Sequence, residues 1–237
     1  MMISEYICWI FFYSVTGWIY ESVLCSIVEK RWINRGFLNG PYCPVYGFGA
    51  VLNLLILDGI DNIFILFYLS AVTACTLEYF TSWLMEKLFQ ARWWDYSGHR
   101  CNLNGRISLA GAVVFGTLSV LLIRVIHPEV ARLTEAAPDT AISAAALAII
   151  FIAAIDCTVT VIHVLGFNRK LRLAEIRLQI TEIKLQLVEI RSMIMKLNLQ
   201  ELRLLRAFPK LKSVLYNDTL QLIKEAFQTT IWKNHIK

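Results

Sequence analysis

The stretch Thr140-Ala-Ile-Ser-Ala-Ala-Ala-Leu-Ala-Ile-Ile-Phe-Ile-Ala-Ala-Ile-Asp-Cys-Thr-Val-Thr-Val-Ile-His-Val-Leu165 runs for 26 residues with one carboxylate, Asp156, and no Lys or Arg. A bilayer core of about 30 Å needs about 20 apolar helical residues, so this stretch predicts a membrane span. Working outward, Ile3–Val28, Ile63–Glu86 and Ile107–Ile126 have the same character, and Tyr42–Leu57 is a shorter version of it. The pattern predicts an all-α, polytopic membrane helix bundle of about five spans over residues 1–166. Composition agrees: 57% of residues are hydrophobic and 17% charged, against about 45–50% and about 25% in water-soluble domains. The first apolar run has no basic region before it and is too long for a signal sequence, so no cleavable signal is expected.

Orientation follows from the basic residues beside the spans. Lys30, Arg31 and Arg35 follow the first span, and Lys87, Arg92, Arg100 and Arg106 follow the third. Asp58-Gly-Ile-Asp-Asn62 has no base, and the loop after the fourth span sets Arg132 against Glu129, Glu135 and Asp139. Basic and non-basic loops alternate, which predicts an outside N-terminus and a cytoplasmic C-terminus in a multi-pass cell-membrane protein. Charge divides the same way: residues 1–167 carry 9 Lys/Arg against 12 Asp/Glu, and residues 168–237 carry 14 against 6. A basic cytoplasmic tail over 167–237 suits a membrane surface or a partner.

The tail contains the repeating unit Glu175-Ile-Arg-Leu-Gln-Ile-Thr, Glu182-Ile-Lys-Leu-Gln-Leu-Val, Glu189-Ile-Arg-Ser-Met-Ile-Met. No Gly or Pro interrupts Asn168 to Phe208, which predicts one long helix. A heptad register places Leu173, Ile180, Leu187, Ile194 and Phe208 at a, and Ile176, Ile183, Ile190, Leu197 and Leu204 at d, with Glu201 alone breaking the seam. That seam is a candidate for homo-oligomerisation as a coiled coil. A second apolar line, Leu171, Leu178, Leu185 and Leu199, lies nearly opposite and needs its own cover, either the amphipathic Leu211–Trp232 segment, another helix or the lipid surface.

Ionisable residues inside spans are costly and mark bundle interiors or water-filled paths. Glu21, Glu78 and Asp156 fall at similar distances from the cytoplasmic ends of their spans. They are either members of one polar chamber that binds a substrate or ion, or separate packing devices bonded to neighbouring hydroxyls. Asn34-Arg-Gly-Phe-Leu-Asn-Gly-Pro-Tyr-Cys-Pro-Val-Tyr46 is rich in Gly and Pro. It reads either as a re-entrant wall carrying Arg35 or as a tight turn with Pro41 in the first turn of the next helix. Asp95 and Arg106 flank a third loop and are expected to pair or cap helices there. The six cysteines form no C-x-x-C pair and no spacing with His that suits zinc, so no metal or other cofactor is expected.

At these residues the chain resembles a known family. Gly17-Trp18 with Glu21, Asn34-Arg-Gly-Phe-Leu38, Gly40-Pro-Tyr-Cys-Pro-Val-Tyr-Gly47, Glu78-Tyr79, Trp94-Asp-Tyr-Ser97 and Asn102-Leu-Asn-Gly-Arg-Ile-Ser-Leu109 are similar to motifs of the bacterial ABC-transporter type IV permeases. The resemblance covers residues 1–130 or so, with Asn34, Gly36, Gly40, Pro41, Pro44 and Tyr46 in its loop motif. It implies a bacterial membrane protein and draws Glu21, Glu78, Arg35, Asp95 and Arg106 to one side. Asp156 and the tail lie outside those motifs.

No nucleotide-binding G-x-x-x-x-G-K-[ST] motif is present, so a permease-like subunit would require a separate ATPase or an ion gradient. The alternative is a membrane-anchored scaffold or signalling protein that oligomerises through its tail and meets a regulatory protein there. No G-x-S-x-G or H-E-x-x-H motif points to an enzyme, and paired carboxylates are the one enzymatic option. Membrane lipids are expected partners and nucleic acid is not.

Overall fold

The computed structural model describes residues 3–180, 190 and 192–234. It is mostly helical: α1 (Ile3–Glu29), α2 (Pro44–Leu57), α3 (Ile63–Phe89), α4 (Leu109–Leu121), α5 (His127–Glu135), α6 (Asp139–Ile180), α7 (Leu199–Ala207) and α8 (Asn217–Asn234). Among the described residues four helices are long and apolar enough to cross a membrane: Ile3–Glu29, Ile63–Phe89, Leu109–Glu135 and the first 38 residues of α6. The remaining expected span, α2, is apolar but shorter. At 14 residues and about 1.5 Å per residue, α2 is about 21 Å long, short of a bilayer core.

The chain forms two compact units, residues 1–83 with 95–158, and residues 84–94 with 159–237. In the first, contacts fix the helix directions. Tyr46 near the start of α2 meets Glu21 late in α1, while Leu54 and Leu57 at its end share a core with Trp9 and Tyr13 early in α1. α2 therefore runs antiparallel to α1. Two glycines allow this close approach: a Cβ on Gly17 would sit 2.3 Å from the Tyr46 ring, and one on Gly47 2.0 Å from the Ile10 carbonyl oxygen.

Similar pairings order the rest. Leu66 joins the Trp9 core and Glu78 lies by Tyr96, so α3 runs with α1. Arg106, just before α4, meets Ser82 of α3, and Gly116 packs on Phe67, so α4 runs back. Ser143 is opposite Ser4, and Asp156 bonds the loop that follows α1, so α6 again runs with α1. α4 and α5 are joined by a π turn, Leu122–Ile126. Pro128 follows it; its missing N–H and its ring disturb the preceding turn of helix, and a π turn absorbs that. Near this end Tyr13 Oη and His127 Nδ1 share a 2.9 Å hydrogen bond, and Trp9 Nε1 donates to Thr134 Oγ1 at 3.0 Å.

The second unit corrects the tail. The single helix predicted through Phe208 is interrupted: Leu197 and Asn198 are not helical, and α7 starts with a capping box in which Asn198 and Glu201 each accept the other's backbone N–H. Glu201, which broke the predicted seam, is this box's second member. It is 1% exposed and pairs with Lys170 Nζ at 2.8 Å. The buried face of α6 also differs from the seam. Leu173 and Ile176 are 51% and 46% exposed, whereas Leu171 of the second apolar line is 1% exposed. Leu204, Phe208, Leu220 and Ile223 are buried in the same unit, and Thr219 of α8 donates to Glu175 of α6, so the C-terminal helix covers the face opposite the seam. Ile190 and Leu197 are buried and Ile194 partly so; Ile183, Leu187 and the side chain of Ile180 lie outside the described residues. Residues 84–94 belong here because Ala91–Arg92 pairs antiparallel with Lys212–Ser213 and Trp93 stacks edge-on against Phe208.

Candidate functional site

The segment between α1 and α2 is anchored residue by residue. Asn34 Oδ1 accepts from Trp18 Nε1 at 2.7 Å and from its own neighbour Gly36 N at 3.2 Å. Ser22 Oγ accepts from Arg35 N at 3.2 Å, and Ser26 Oγ from Ile33 N at 2.9 Å. Ile33, Leu38 and Tyr42 are buried. The segment is therefore packed into the protein along α1. The tight-turn reading of it is corrected at Pro41, which lies before the helix. Pro44 is the first residue of α2, where its fixed φ and absent N–H cost nothing.

Fixing the backbone at Arg35 directs its side chain to Glu21, with Nε 3.7 Å from Oε2. The other oxygen, Glu21 Oε1, accepts from Tyr46 Oη at 2.5 Å, so α1, the segment and α2 converge on one carboxylate. Tyr46 stacks edge-on with Tyr20 and Phe115, at 6.4 and 6.0 Å between centroids.

Glu78 of α3 accepts from Tyr96 Oη at 3.3 Å. The Tyr96 phenol is pushed well above its ordinary range, first by burial and then by the charges of Glu78 and Glu21, against an opposing pull from Arg35. A phenol that feels both carboxylates and the guanidinium puts Glu21, Glu78 and Arg35 within electrostatic reach of one another. These four groups and Tyr46 form one polar cluster. Its formal charge is two carboxylates against one guanidinium.

Asp156 has its own set of partners. Its Oδ1 accepts from Asn39 N at 3.0 Å and Asn39 Nδ2 at 2.9 Å. Its Oδ2 accepts from Gly40 N at 2.8 Å and Tyr42 Oη at 2.7 Å. The three carboxylates thus meet the same 34–46 stretch at different points: Glu21 at Arg35 and Tyr46, Asp156 at residues 39–42, and Glu78 only through the shared field at Tyr96.

Asp95 and Arg106 are both buried, at 7% exposure each. Asp95 Oδ1 accepts from Ser97 N at 2.9 Å, turning the chain so that Tyr96 faces Glu78. Arg106 donates to Ser82 Oγ at 3.1 Å and lies 5.6 Å over the Tyr79 ring, tying the Asn102–Ser108 hairpin to α3. Asn104 and Gly105 supply its positive-φ corner, at 53° and 67°.

Sequence reasoning missed Tyr96, although it sits within the quoted Trp94–Ser97 motif beside Asp95. It also missed Ser22, one residue after Glu21. Among the described residues no group of three or more His, Cys, Asp or Glu is arranged to hold a metal ion.

No curated protein and no solved structure matches the chain. A family model does match, over residues 8–161, a range that takes in the whole polar cluster and also Asp156, which the recognised motifs had left out. The chain belongs to the family described as "Putative ABC-transporter type IV".

Proposed function

We propose that this protein is the membrane subunit of a transporter, and that the cluster of Glu21, Arg35, Tyr46, Glu78 and Tyr96 is where it handles its substrate or a coupled ion. One observation carries the reading: five polar side chains from α1, α2, α3 and two loops, three of them ionisable acids or bases, converge in a largely apolar bundle. Charged groups in that setting are costly and are retained where they line a path. The family membership supports a transport role and a separate ATPase subunit as the energy source, with an ion gradient as the alternative. Full-length protein purified from its native membrane in mild detergent provides the test. A co-purifying ATPase whose ATP hydrolysis falls at least tenfold with Glu21→Gln or Glu78→Gln supports the reading. Hydrolysis unchanged by both substitutions overturns the site.

In this reading the protein crosses the membrane five times, with the cluster toward the cytoplasm and the basic second unit inside. The alternation of basic loops and the antiparallel run of α2 support it; α2 crosses with help from the extended residues on either side. Exposed Cys101 should react with an impermeant maleimide only after permeabilisation, and Asp61→Cys should react in intact cells. Labelling of Cys101 from outside contradicts the orientation.

A further inference from the structure

We infer that Asp156 is a positioning residue: it latches the 39–42 turn so that Arg35 stays on Glu21, and its release frees the wall of the polar cluster. This rests on the reading of that cluster as the functional site. Three observations support it.

The first is saturation. Both oxygens of Asp156 already hold two donors each, two of them backbone N–H groups, all at 3.0 Å or less. A carboxylate so occupied has little acceptor capacity left for a ligand, and these four donors come from one short turn. The second is fit. A Cβ on Gly40 would lie 2.2 Å from the Tyr42 ring and 3.2 Å from Asp156 Oδ2. The latch therefore closes only because residue 40 is glycine. The third is leverage. Arg35 is four residues before Asn39, and its own N–H is held by Ser22. The segment is thus pinned to α1 at one end and to α6 at the other, with the Glu21–Arg35 contact on the α1 side. Loss of the α6 anchor takes the shared acceptor from Asn39, Gly40 and Tyr42 and leaves the stretch around Arg35 held from the α1 side only. No covalent bond is made or broken; the switch exchanges protein hydrogen bonds for hydrogen bonds to water.

Hydrogen exchange on the full-length protein in detergent, read by mass spectrometry, tests this. In Asp156→Asn the peptide covering 34–43 should exchange at least tenfold faster, with peptides from the outer-end core at 9–13 and 50–57 unchanged. Gly40→Ala should reproduce the effect with Asp156 intact, and Asp156→Glu should restore part of the protection. Exchange at the wild-type rate in Asp156→Asn overturns the latch. So does acceleration spread over the whole unit, which would make Asp156 a general packing group. The link to the site has a separate readout: in the ATPase assay, Asp156→Asn should lower activity in the wild-type background and add nothing in Glu21→Gln. Additive losses overturn the positioning role. Full activity in Glu21→Gln would defeat the reading of the site and leave the exchange result to judge the latch.

Discussion

Asp156 and Glu78 are both carboxylates in apolar helices that run the same way, at similar depth by sequence, yet their surroundings are opposite. Asp156 accepts four hydrogen bonds at 3.0 Å or less from three residues of one turn. Glu78 has one hydrogen bond among the described residues, from Tyr96 at 3.3 Å, and shares a phenol's field with Glu21. An acid with all its acceptor sites filled serves the fold, because removing it strands several donors at once. An acid with open capacity is available for chemistry, because a proton or ligand can still take the remaining sites. The same residue type in the same kind of helix therefore carries different expectations for stability and for activity.

The largest effect expected from this contrast is on Asp156. Asp156→Ala leaves the N–H groups of Asn39 and Gly40 and the Tyr42 hydroxyl without their acceptor. At about 1–3 kcal/mol for each stranded group, with some relief from water, the loss should be about 3 kcal/mol. A melting temperature in detergent within a degree of wild type would break the comparison.

A buried cation in the second unit tests the same logic with the sign reversed. Lys224 donates to the carbonyls of Pro209 and Leu211, yet burial first and Lys212 second push its amine down to about 8 from 10.5. Between those values the unfolded chain binds the extra proton, so folding stability should rise with pH across pH 8 to 10.5. The slope should be at most about 1.4 kcal/mol per pH unit, and stability should be flat in this term below pH 8. Melting against pH should show that rise in wild type and lose it in Lys224→Met. A rise that persists in the variant belongs to another group.

Much of the first unit was legible because membrane helices announce themselves by length and apolarity. The fifth run, α2, was legible as apolar and short; that Pro44 rather than Tyr42 begins the helix was not. The cluster was half legible: Glu21, Arg35 and Glu78 stand out as charges, but Tyr46 and Tyr96 are uncharged and join only through folding. Asp156 was visible as an anomaly, while its partners lie 114 to 117 residues away in sequence, beyond any local pattern. The tail was legible in part, its single uninterrupted helix being the part that differs. Its heptads are real, but two apolar lines compete, and Leu171 rather than Leu173 found cover. Asn198-Leu-Gln-Glu201 is a capping signature; read as a helix start, it places the beginning of α7.

A smaller effect is expected where Tyr46 is delivered to Glu21. Gly47→Ala would push a methyl into the Ile10 carbonyl and the Ser14 hydroxyl, at 2.0 and 2.3 Å, forcing α1 and α2 apart. Overpacking of this kind costs about 1–3 kcal/mol. The cost to Glu21 should exceed the cost to the fold: double-mutant cycles in the ATPase assay should show Gly47→Ala and Tyr46→Phe to be non-additive, since both remove the same hydroxyl contact. Full additivity would separate the helix packing from the site.

The smallest change in stability, and the sharpest test of the contrast, is Glu78→Gln. Glutamine keeps the length of the side chain and an oxygen that accepts from Tyr96, while removing one of the cluster's two negative charges. Because the bond it inherits is single and long, the folded state loses little, and the change should stay within about 0.5 kcal/mol. Relief of the repulsion between Glu78 and Glu21 works in the same direction, so the variant should melt at or slightly above the wild-type temperature. Activity should fall all the same, because the amide neither exchanges a proton nor balances a cation near pH 7. Asp156→Asn reverses the pattern, with clear loss of stability and a functional loss confined to what Arg35 contributes. If Glu78→Gln destabilises the protein as much as Asp156→Ala does, the two acids are the same kind of device and the open carboxylate is not a site.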